Sequence, residues 1–418
     1  MKTDTLTTIT ASLDGYEPEA LQLAKAREII ERLVWPPRQR ESVPLSQALG
    51  RVLATDVVSE HRLPAHDTAA AHGYALRGDD IDPAGPTRFE IAGSCLAAEA
   101  LGPSLPLRHC LVVRQGEAMP PGFDTVAPHN AVSREGESIF VPAQSVWPGD
   151  FRRPAGSDMP IGGVAVPAGR RLSAIDIGLL ASLHFDTVPV WRQLRVGLMV
   201  TGENREINQP VLHALMQSLG VDIIDLGAVS CEADALFDAF RHGARQADAI
   251  LCAGGLDGSV SDIEQCLLSH VLDELGQVQA WNVALSPGGG LLLGHVGELS
   301  NSALVFALPG DPVSLLSYYY ALVLPALQGL CGGTSAPLPL LRAAAAHGLR
   351  KQRGHTEFKC GRVQRDATFG WVVEATAPPG ASTLGSMSRA NGIIVLGHNR
   401  GDVRAGDFVN VLPFEGLN

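Results

Sequence analysis

The stretch that decides the fold is residues 195–255, where RVGLMV (195–200), VDIIDLG (221–227) and DAILCAGG (248–255) form short apolar runs. Runs this short and rich in Val, Ile and Leu are typical of strands buried on both faces of a sheet. The segments between them, 208–219 and 232–246, have the spacing of amphipathic helices. Strands alternating with helices predict a doubly wound, mainly parallel α/β sheet, and ligands bind such sheets at the carboxyl ends of their strands.

The same pattern continues to the end of the predicted α/β domain, 193–335. VQAWNVAL (278–285) is predicted as a further strand, and 261–275 and 312–330 as further helices. Beyond residue 338 the chain reads as strands only, through FKCGRV, WVVEA, GIIVL and DFVNVL. We therefore expect a separate C-terminal β-barrel over 338–418, with no helix in 355–415.

Towards the N-terminus, 18–34 has helical spacing and ends at a Trp-Pro-Pro stop. Residues 52–148 contain short apolar runs separated by Gly and Pro, which predicts a small β-rich domain. Residues 15–51 and 149–192 form the remaining N-terminal domain, with an amphipathic helix expected after Ser173. The predicted fold class is therefore multi-domain, a central doubly wound α/β domain with β-rich N-terminal domains and a C-terminal β-barrel.

Composition excludes several classes of protein. With 45% hydrophobic and 18% charged residues the chain suits a globular protein rather than a disordered one. A net charge of −12 argues against nucleic-acid or anionic-membrane partners, and no long apolar run predicts a membrane span. The seven cysteines are scattered without a CxxC pair, and the N-terminus lacks a secretory pattern, so a cytoplasmic protein with reduced thiols is expected.

Four groups of motifs occur in one collinear order. They are LSQALGRVLATDV (45–57) with LPAHDTAAAHGYALR (63–77), RRPAGSDM (152–159) with VPAGRRLSAIDIGLLASL (166–183), RVGLMVTGEN (195–204) with ADAILCAGG (247–255), and SPGGG (286–290) with LPGDPVS (308–314). Each motif is weak by itself. Their order and spacing together resemble the molybdopterin molybdenumtransferases, the MoeA and gephyrin E-domain group, over most of 18–418.

The resemblance implies an elongated subunit that forms a homodimer. It also implies a reaction in which adenylylated molybdopterin releases AMP and receives molybdenum from molybdate, with Mg²⁺ as the cofactor. Molybdopterin and molybdate would then be substrates.

The resemblance also assigns site residues. The catalytic carboxylates would be Asp67, Glu203, Glu206 and Asp262, with Mg²⁺ at Glu206 and Asp262. Molybdopterin contacts would come from Thr201, Gly202, Gly254, Gly255, Ser286, Pro287, Gly288, Pro309, Gly310, Asp311, Pro312 and Ser314. From the residues alone, Gly254-Gly255 fits a tight turn as well as a ligand contact, and Asp311-Pro312 fits an ordinary helix cap as well as a phosphate site.

The departures from the family pattern concern charged and polar residues. Where the family has acidic residues, this chain has His72 and Asn204. Where the family has a Thr and a Glu, it has Gln115 and Asn130. Lysines are replaced at Asn282, Ser286 and Gly289, while Asp257 and Asp311 add negative charge. A charge pair at about 4 Å is worth roughly 4 kcal/mol at an effective dielectric near 20, so these losses weaken an anion site. The candidates for replacement cations are Arg152, Arg153, Arg170 and Arg171.

Two functions remain open at this point. The first is an active molybdopterin molybdenumtransferase. The second is a catalytically impaired paralogue that binds molybdopterin and serves as a scaffold or chaperone for a molybdoenzyme or an active homologue. An unrelated nucleotide-binding protein is disfavoured because neither a Walker A motif nor a GxGxxG motif follows a predicted strand.

Overall fold

The structure, a computed structural model, describes residues 6–13, 15–35, 39–95, 105–256, 266–297, 302–333, 339–367, 370–378 and 383–414. The helices in chain order are α1 (Leu6–Ala11), α2 (Leu23–Leu33), α3 (Ala174–Ser182), α4 (Arg205–Leu219), α5 (Ala233–Gln246), α6 (Leu267–Leu275), α7 (Pro312–Leu330) and α8 (Leu384–Ser388).

The strands are numbered in the same way. They are β1 (Arg40–Pro44), β2 (Val57–Val58), β3 (Thr68–Ala69), β4 (Gly73–Leu76), β5 (Thr87–Ser94), β6 (His109–Val113), β7 (Thr125–Pro128), β8 (Ser133–Glu135), β9 (Ser138–Val141), β10 (Arg152–Arg153), β11 (Val164–Val166), β12 (Thr187–Trp191), β13 (Arg195–Val200), β14 (Asp222–Ala228), β15 (Ala249–Ala253), β16 (Gly276–Asn282), β17 (Leu285–Ser286), β18 (Gly290–Val296), β19 (Ala303–Leu308), β20 (Leu341–Ala345), β21 (Thr356–Asp366), β22 (Gly370–Ala375), β23 (Gly392–Leu396) and β24 (Phe408–Pro413).

The chain divides into two compact units. One contains 1–41, 50–54 and 189–418, and the other contains 42–49 and 55–188. The first unit holds the predicted α/β sheet, with strand order β14-β13-β15-β19-β18-β16. Strands β13, β14, β15 and β19 run parallel, and β18 and β16 extend the sheet in antiparallel fashion.

The sheet is buried because helices cover both of its faces. Every residue of β15 and β19 is buried, which is why these strands read as uninterrupted apolar runs. Trp281, Phe306 and Tyr318 fill the core on one face, and Phe240 fills it on the other. Among the described helices, α7 is long and apolar enough to cross a membrane by length and composition, but most of its apolar surface is buried inside the protein. Helix α7 is thus a core helix, and its predicted range is confirmed.

The C-terminal β-barrel is confirmed, with one correction to its predicted isolation. Strands β21, β22, β20, β24 and β23 close into a barrel because β21 also pairs with β23. Strand β17, from the segment preceding β18, joins this sheet through parallel pairing with β21. The barrel is therefore not separate from the α/β domain. Helix α8, a single turn capped by Thr383, also lies where only strands were expected.

The second unit contains the β-rich domain, a six-stranded sheet of order β7-β4-β6-β5-β9-β8. Two short ribbons, β3–β10 and β2–β11, accompany it. Helix α3 begins where predicted, because Ser173 and Asp176 form a reciprocal capping box that satisfies two backbone N–H groups.

Candidate functional site

The carboxyl ends of β13, β15 and β19 lie side by side and are joined by backbone hydrogen bonds. The Thr201 backbone N–H donates to the Ala253 carbonyl at 2.9 Å, and the Gly254 N–H donates to the Leu308 carbonyl at 3.0 Å. The loops that follow these three strands therefore begin at one edge of the sheet, called the loop edge below. Most of the molybdopterin contacts assigned from the sequence belong to this edge.

Glycine is required at the centre of the loop edge. Gly254 has φ +111°, and a Cβ added there would lie 1.9 Å from the Thr201 carbonyl oxygen. Gly255 has φ +76°, and Gly202, at φ +75°, has its Cβ position 3.6 Å from the Gly255 nitrogen. The backbones of these two loops thus approach each other where side chains would keep them apart.

Two asparagines hold the third loop in place. The side-chain amides of Asn208 and Asn204 donate to the Gly310 carbonyl at 2.9 and 3.2 Å. Asn208 is fully buried, and within the described residues its Oδ1 has no hydrogen-bond partner. Sequence reasoning did not select Asn208, although it closes the Glu-Ile-Asn motif in which Glu206 was selected.

Helix α7 begins with the cap predicted from the sequence. One carboxylate oxygen of Asp311 accepts hydrogen bonds from the Ser314 backbone N–H and hydroxyl, both at 2.8 Å. Pro312 has no N–H to offer, and Val313 is buried against Cys360 and Met387. Because the Asp311 carboxylate already accepts the Ser314 N–H, exposed Gly255 in the neighbouring loop is the more open anion contact, and the phosphate role of Asp311 and Ser314 stays a prediction.

The segment from Ser286 to Gly289 leads from the barrel to the loop edge. Cβ positions built at Gly288 and Gly289 would lie 2.1 Å from the Leu285 carbonyl oxygen and 3.1 Å from Cγ of Pro309. The Tyr318 hydroxyl donates to the Gly289 carbonyl at 2.6 Å. Burial of this tyrosine raises its pKa, so its hydroxyl remains a proton donor.

A thiol that sequence reasoning missed also reaches the loop edge. Thr201 is buried, and its hydroxyl lies 3.0 Å from the thiol sulfur of Cys231. Cys231 is exposed and lies between β14 and α5. Only the sheet topology indicates this placement, because the cysteine is remote from Thr201 in sequence.

The structure describes three of the four predicted carboxylates. Glu203 and Glu206 are exposed beside the loop edge, at the start of α4. Asp67 belongs to the other compact unit, where it accepts from the Ala155 N–H at 2.8 Å and pairs with Arg152 at 3.2 Å. Asp262 lies outside the described residues. No group of three or more His, Cys, Asp or Glu in the described part of the chain is arranged to hold a metal ion.

The arginines that were candidates for replacement cations have partners of their own. The ion pairs are Arg152 with Asp67, Arg153 with Asp158, and Arg170 with Asp176. A paired guanidinium contributes little net positive charge at a distance, so these arginines do not simply replace the lost lysines.

Family models of known proteins match most of the chain between residues 21 and 414. Residues 21–183 match the MoeA N-terminal region (domain I and II), 194–329 a probable molybdopterin binding domain, and 342–414 the MoeA C-terminal region (domain IV). A molybdopterin molybdenumtransferase of Haemophilus influenzae is 28% identical over 95% of this chain and 99% of its own. Molybdopterin molybdenumtransferase 1 of Mycobacterium tuberculosis is 26% identical over 88% and 93%.

Solved structures agree on the fold. The molybdopterin biosynthesis moeA protein of Pyrococcus horikoshii OT3 is 21% identical, with a TM-score of 0.78 over 94% of this chain and 100% of its own. The three matched regions follow one another in the order of that family and span nearly the whole chain. The chain belongs to the MoeA family of molybdenum cofactor biosynthesis proteins.

Proposed function

We propose that this protein acts in molybdenum cofactor biosynthesis, transferring molybdenum from molybdate to molybdopterin that it receives in adenylylated form. The observation that carries the proposal is the collinear match of all three regions, together with the glycine-lined loop edge inside the matched molybdopterin binding domain. Gly254 lets its loop pack against the Thr201 carbonyl, and exposed Gly255, which has no Cβ, suits close approach of an anionic, planar ligand.

The proposed chemistry begins with release of AMP. A water oxygen attacks the pterin-side phosphorus of the phosphoanhydride, the bond from that phosphorus to the bridging oxygen breaks so that this oxygen leaves with AMP, and the proton lost by the water passes to solvent. Glu203 is proposed to orient that water, since it is exposed at the loop edge. Asp67, to which the resemblance also assigns a catalytic role, accepts the Ala155 N–H and pairs with Arg152 within the second compact unit.

Mg²⁺ is proposed to bind at Glu206 and Asp262. Carboxylate oxygens are ligands that Mg²⁺ prefers, and the ion commonly needs only one or two of them when substrate phosphates and waters complete its shell. Exposed Glu206 at the loop edge fits that donor chemistry. When bound, the ion would neutralise phosphate charge.

The same proposal includes a cytoplasmic homodimer. In the second compact unit, Val58 and Val164 pair directly across β2 and β11, and are 44% and 47% exposed. Ile161 and Ile175 are exposed at 60% and 83%. Four exposed aliphatic side chains on adjacent short elements favour a subunit interface. Light scattering should give the mass of a dimer, and Val164→Asp should reduce it to that of a monomer.

The activity test uses adenylylated molybdopterin, molybdate and Mg²⁺. AMP is measured by chromatography, and the molybdenum-loaded product by its ability to activate a cofactor-free molybdoenzyme. Glu203→Gln and Glu206→Gln should each lower the rate of AMP release at least about a hundredfold. Glu274→Gln, an exposed carboxylate at the far end of α6, is the matched control and should be unaffected.

The binding or scaffold alternative gives a different result in the same assay. It is motivated by the missing lysines and by the arginines already paired with carboxylates. A protein that retains molybdopterin, seen by fluorescence after oxidation, yet releases no AMP would contradict the enzyme and support this alternative.

A further inference from the structure

A pair of exposed histidines meets on the second compact unit, although the two residues are far apart in sequence. His61 follows β2, and His184 follows helix α3. Their imidazole rings lie edge to face, with ring centres 5.4 Å apart and an angle of 85° between the ring planes. Among the described residues, neither ring has a hydrogen-bond or ion-pair partner. His61 and His184, called the histidine pair below, therefore present unengaged ring nitrogens at one place on the surface.

The backbone at His61 is held by a buried serine. The Ser59 hydroxyl donates to the His61 carbonyl at 2.7 Å, and its oxygen accepts the His61 N–H at 3.3 Å. Ser59 is 1% exposed. Its own N–H donates to the Gly163 carbonyl, and its carbonyl accepts the Gly162 N–H, both at 2.8 Å. The turn that carries His61 is thus anchored to the ribbon formed by β2 and β11.

The backbone at His184 is held by the end of helix α3. His184 has φ +63°, in the left-handed region, and its N–H donates to the Ala181 carbonyl at 3.0 Å. The Phe185 N–H donates to the Leu180 carbonyl at 3.1 Å, so this turn closes the helix. Glycine is favoured at such a position because a Cβ is disfavoured there. A histidine therefore costs stability relative to glycine, and its exposed ring gains no packing in the core in return.

The separation of the two rings matches the geometry of a shared metal ion. Imidazole is a good ligand for zinc, copper and nickel, and zinc binds histidine nitrogen at about 2.0–2.1 Å. Two imidazoles on one tetrahedral ion then have ring centres roughly 5–5.5 Å apart. The observed separation of 5.4 Å lies in that range. Because no hydrogen bond fixes either ring, each can turn to direct Nδ1 or Nε2 towards such an ion.

The charges around the histidine pair favour a cation. Glu60 precedes His61 in the sequence, Asp186 lies shortly after His184, and both carboxylates are exposed. The neighbouring cation, Arg62, lies with its Cγ 3.5 Å from the Cβ position of Gly156. Exposed carboxylates are screened and contribute little individually, but their sign assists a positively charged ligand.

We propose that the histidine pair binds one divalent ion of the late first-row transition metals, the class that contains Ni²⁺, Cu²⁺ and Zn²⁺. Each histidine supplies one imidazole nitrogen. Water completes the coordination shell, because no third His, Cys, Asp or Glu in the described part of the chain joins the two rings. The ion links the turn after β2 to the end of α3 and so stabilises the second unit. The site differs in chemistry from the proposed Mg²⁺ site, since Mg²⁺ prefers oxygen ligands.

The competing interpretation of the histidine pair is structural. Rings in edge-to-face contact attract each other weakly, and His184 lies beside the negative end of the helix α3 dipole. In that case the two side chains contribute to the stability of the metal-free protein and have no shared ligand.

The test is isothermal titration of the full-length protein with Ni²⁺ in the presence of excess Mg²⁺. The wild type should bind Ni²⁺ without displacement by Mg²⁺, and affinity should rise in the order Mn²⁺, Co²⁺, Ni²⁺. His61→Asn and His184→Asn should each weaken the tightest binding event at least about tenfold. The double variant should bind no more weakly than either single variant, because removing one imidazole already ends the chelate. His270→Asn, which changes an exposed histidine of α6, is the matched control and should leave the affinity unchanged.

Thermal unfolding separates the two interpretations in a second way. Asparagine is used because it tolerates the left-handed backbone at position 184, so both single variants should fold. Ni²⁺ should raise the Tm of the wild type and of His270→Asn, but not that of the single variants, since a ligand of the folded state stabilises it. A tightest site that survives in both single variants, or losses of affinity that add in the double variant, would overturn the proposal. None of these measurements depends on AMP release or on the loop edge.

Discussion

Replacing Gly254 with alanine tests whether the loop edge depends on backbone contact. The new Cβ would lie 1.9 Å from the Thr201 carbonyl oxygen, so either the glycine turn or the end of β13 must move. Such a shift strains the hydrogen bonds from Thr201 to Ala253 and from Gly254 to Leu308. Loss of one buried hydrogen bond costs about 1–3 kcal/mol, and an L-residue held at φ +111° costs about 1–3 kcal/mol more. Together the variant should lose on the order of 2–6 kcal/mol in its free energy of unfolding.

The measurement is urea unfolding followed by tryptophan fluorescence, since Trp281 is fully buried in the core beneath this edge. Gly406→Ala is the matched control, because Gly406 has φ +87° but no atom within 4 Å of its Cβ position. The control should lose only the conformational term, about 1–2 kcal/mol. If Gly254→Ala loses no more stability than Gly406→Ala, the close approach of the two loops is not as described, and the reasoning about the loop edge is wrong.

Three further predictions concern charge, capping and thiols. Ser286→Lys with Asp311→Asn should tighten molybdopterin binding in titration calorimetry by tenfold or more, about 1.4 kcal/mol, whereas Asn204→Glu, which loses the bond to the Gly310 carbonyl, should weaken it. Asp311→Ala should lower the free energy of unfolding by about 1 kcal/mol through loss of the helix cap, and Asp311→Asn should lose much less. Iodoacetamide at pH 8 should label exposed Cys231 and leave Cys252 unlabelled, because Cys252 is fully buried and burial raises the pKa of its thiol to about 12. Peptide mass spectrometry checks this, and labelling of Cys252 at pH 8 in the folded protein would contradict it.

Much of the fold could be predicted because it is encoded locally. Strands β15 and β19 are uninterrupted apolar runs, and residues buried on both faces of a sheet must read that way. The helix caps at Ser173 and Asp311 could be predicted from the sequence because each capping side chain is only three residues from the backbone N–H group that it satisfies. The predictions that failed concern pairing between distant segments and the single-turn helix α8. The two residues of β17 carry no signal that they would join the barrel rather than the neighbouring sheet.

The candidate site could be predicted only in part, for the same reason. Family spacing identified the glycines and Asp311, and the geometry of the loop edge agrees with their grouping. Asn208 and Cys231 were missed because their partners, Gly310 and Thr201, are supplied by the sheet topology. Charge was the hardest property to predict, since a lysine or arginine contributes to a site only if no nearby carboxylate already neutralises it.

The missing lysines of the Ser286–Gly289 segment have to be judged from the charges that lie near the segment in space as well as from the sequence. Counted along the sequence, the segment has lost its cations, and the arginines expected to replace them are paired with carboxylates elsewhere. Counted in space, Ser286 lies opposite Glu357 on the strand that carries Lys359. The Lys359 ammonium pairs with the Glu357 carboxylate, and the buried Lys351 before that strand donates its ammonium to the carbonyls of Gln352 and His355. At an effective dielectric near 20 a lysine that no carboxylate neutralises is worth roughly 4 kcal/mol to an anion at about 4 Å, so the spatial neighbours of the segment matter as much as its own residues. A depleted motif is therefore not sufficient grounds for assigning this protein a non-catalytic role, and AMP release by the wild-type protein is the measurement that separates the two interpretations.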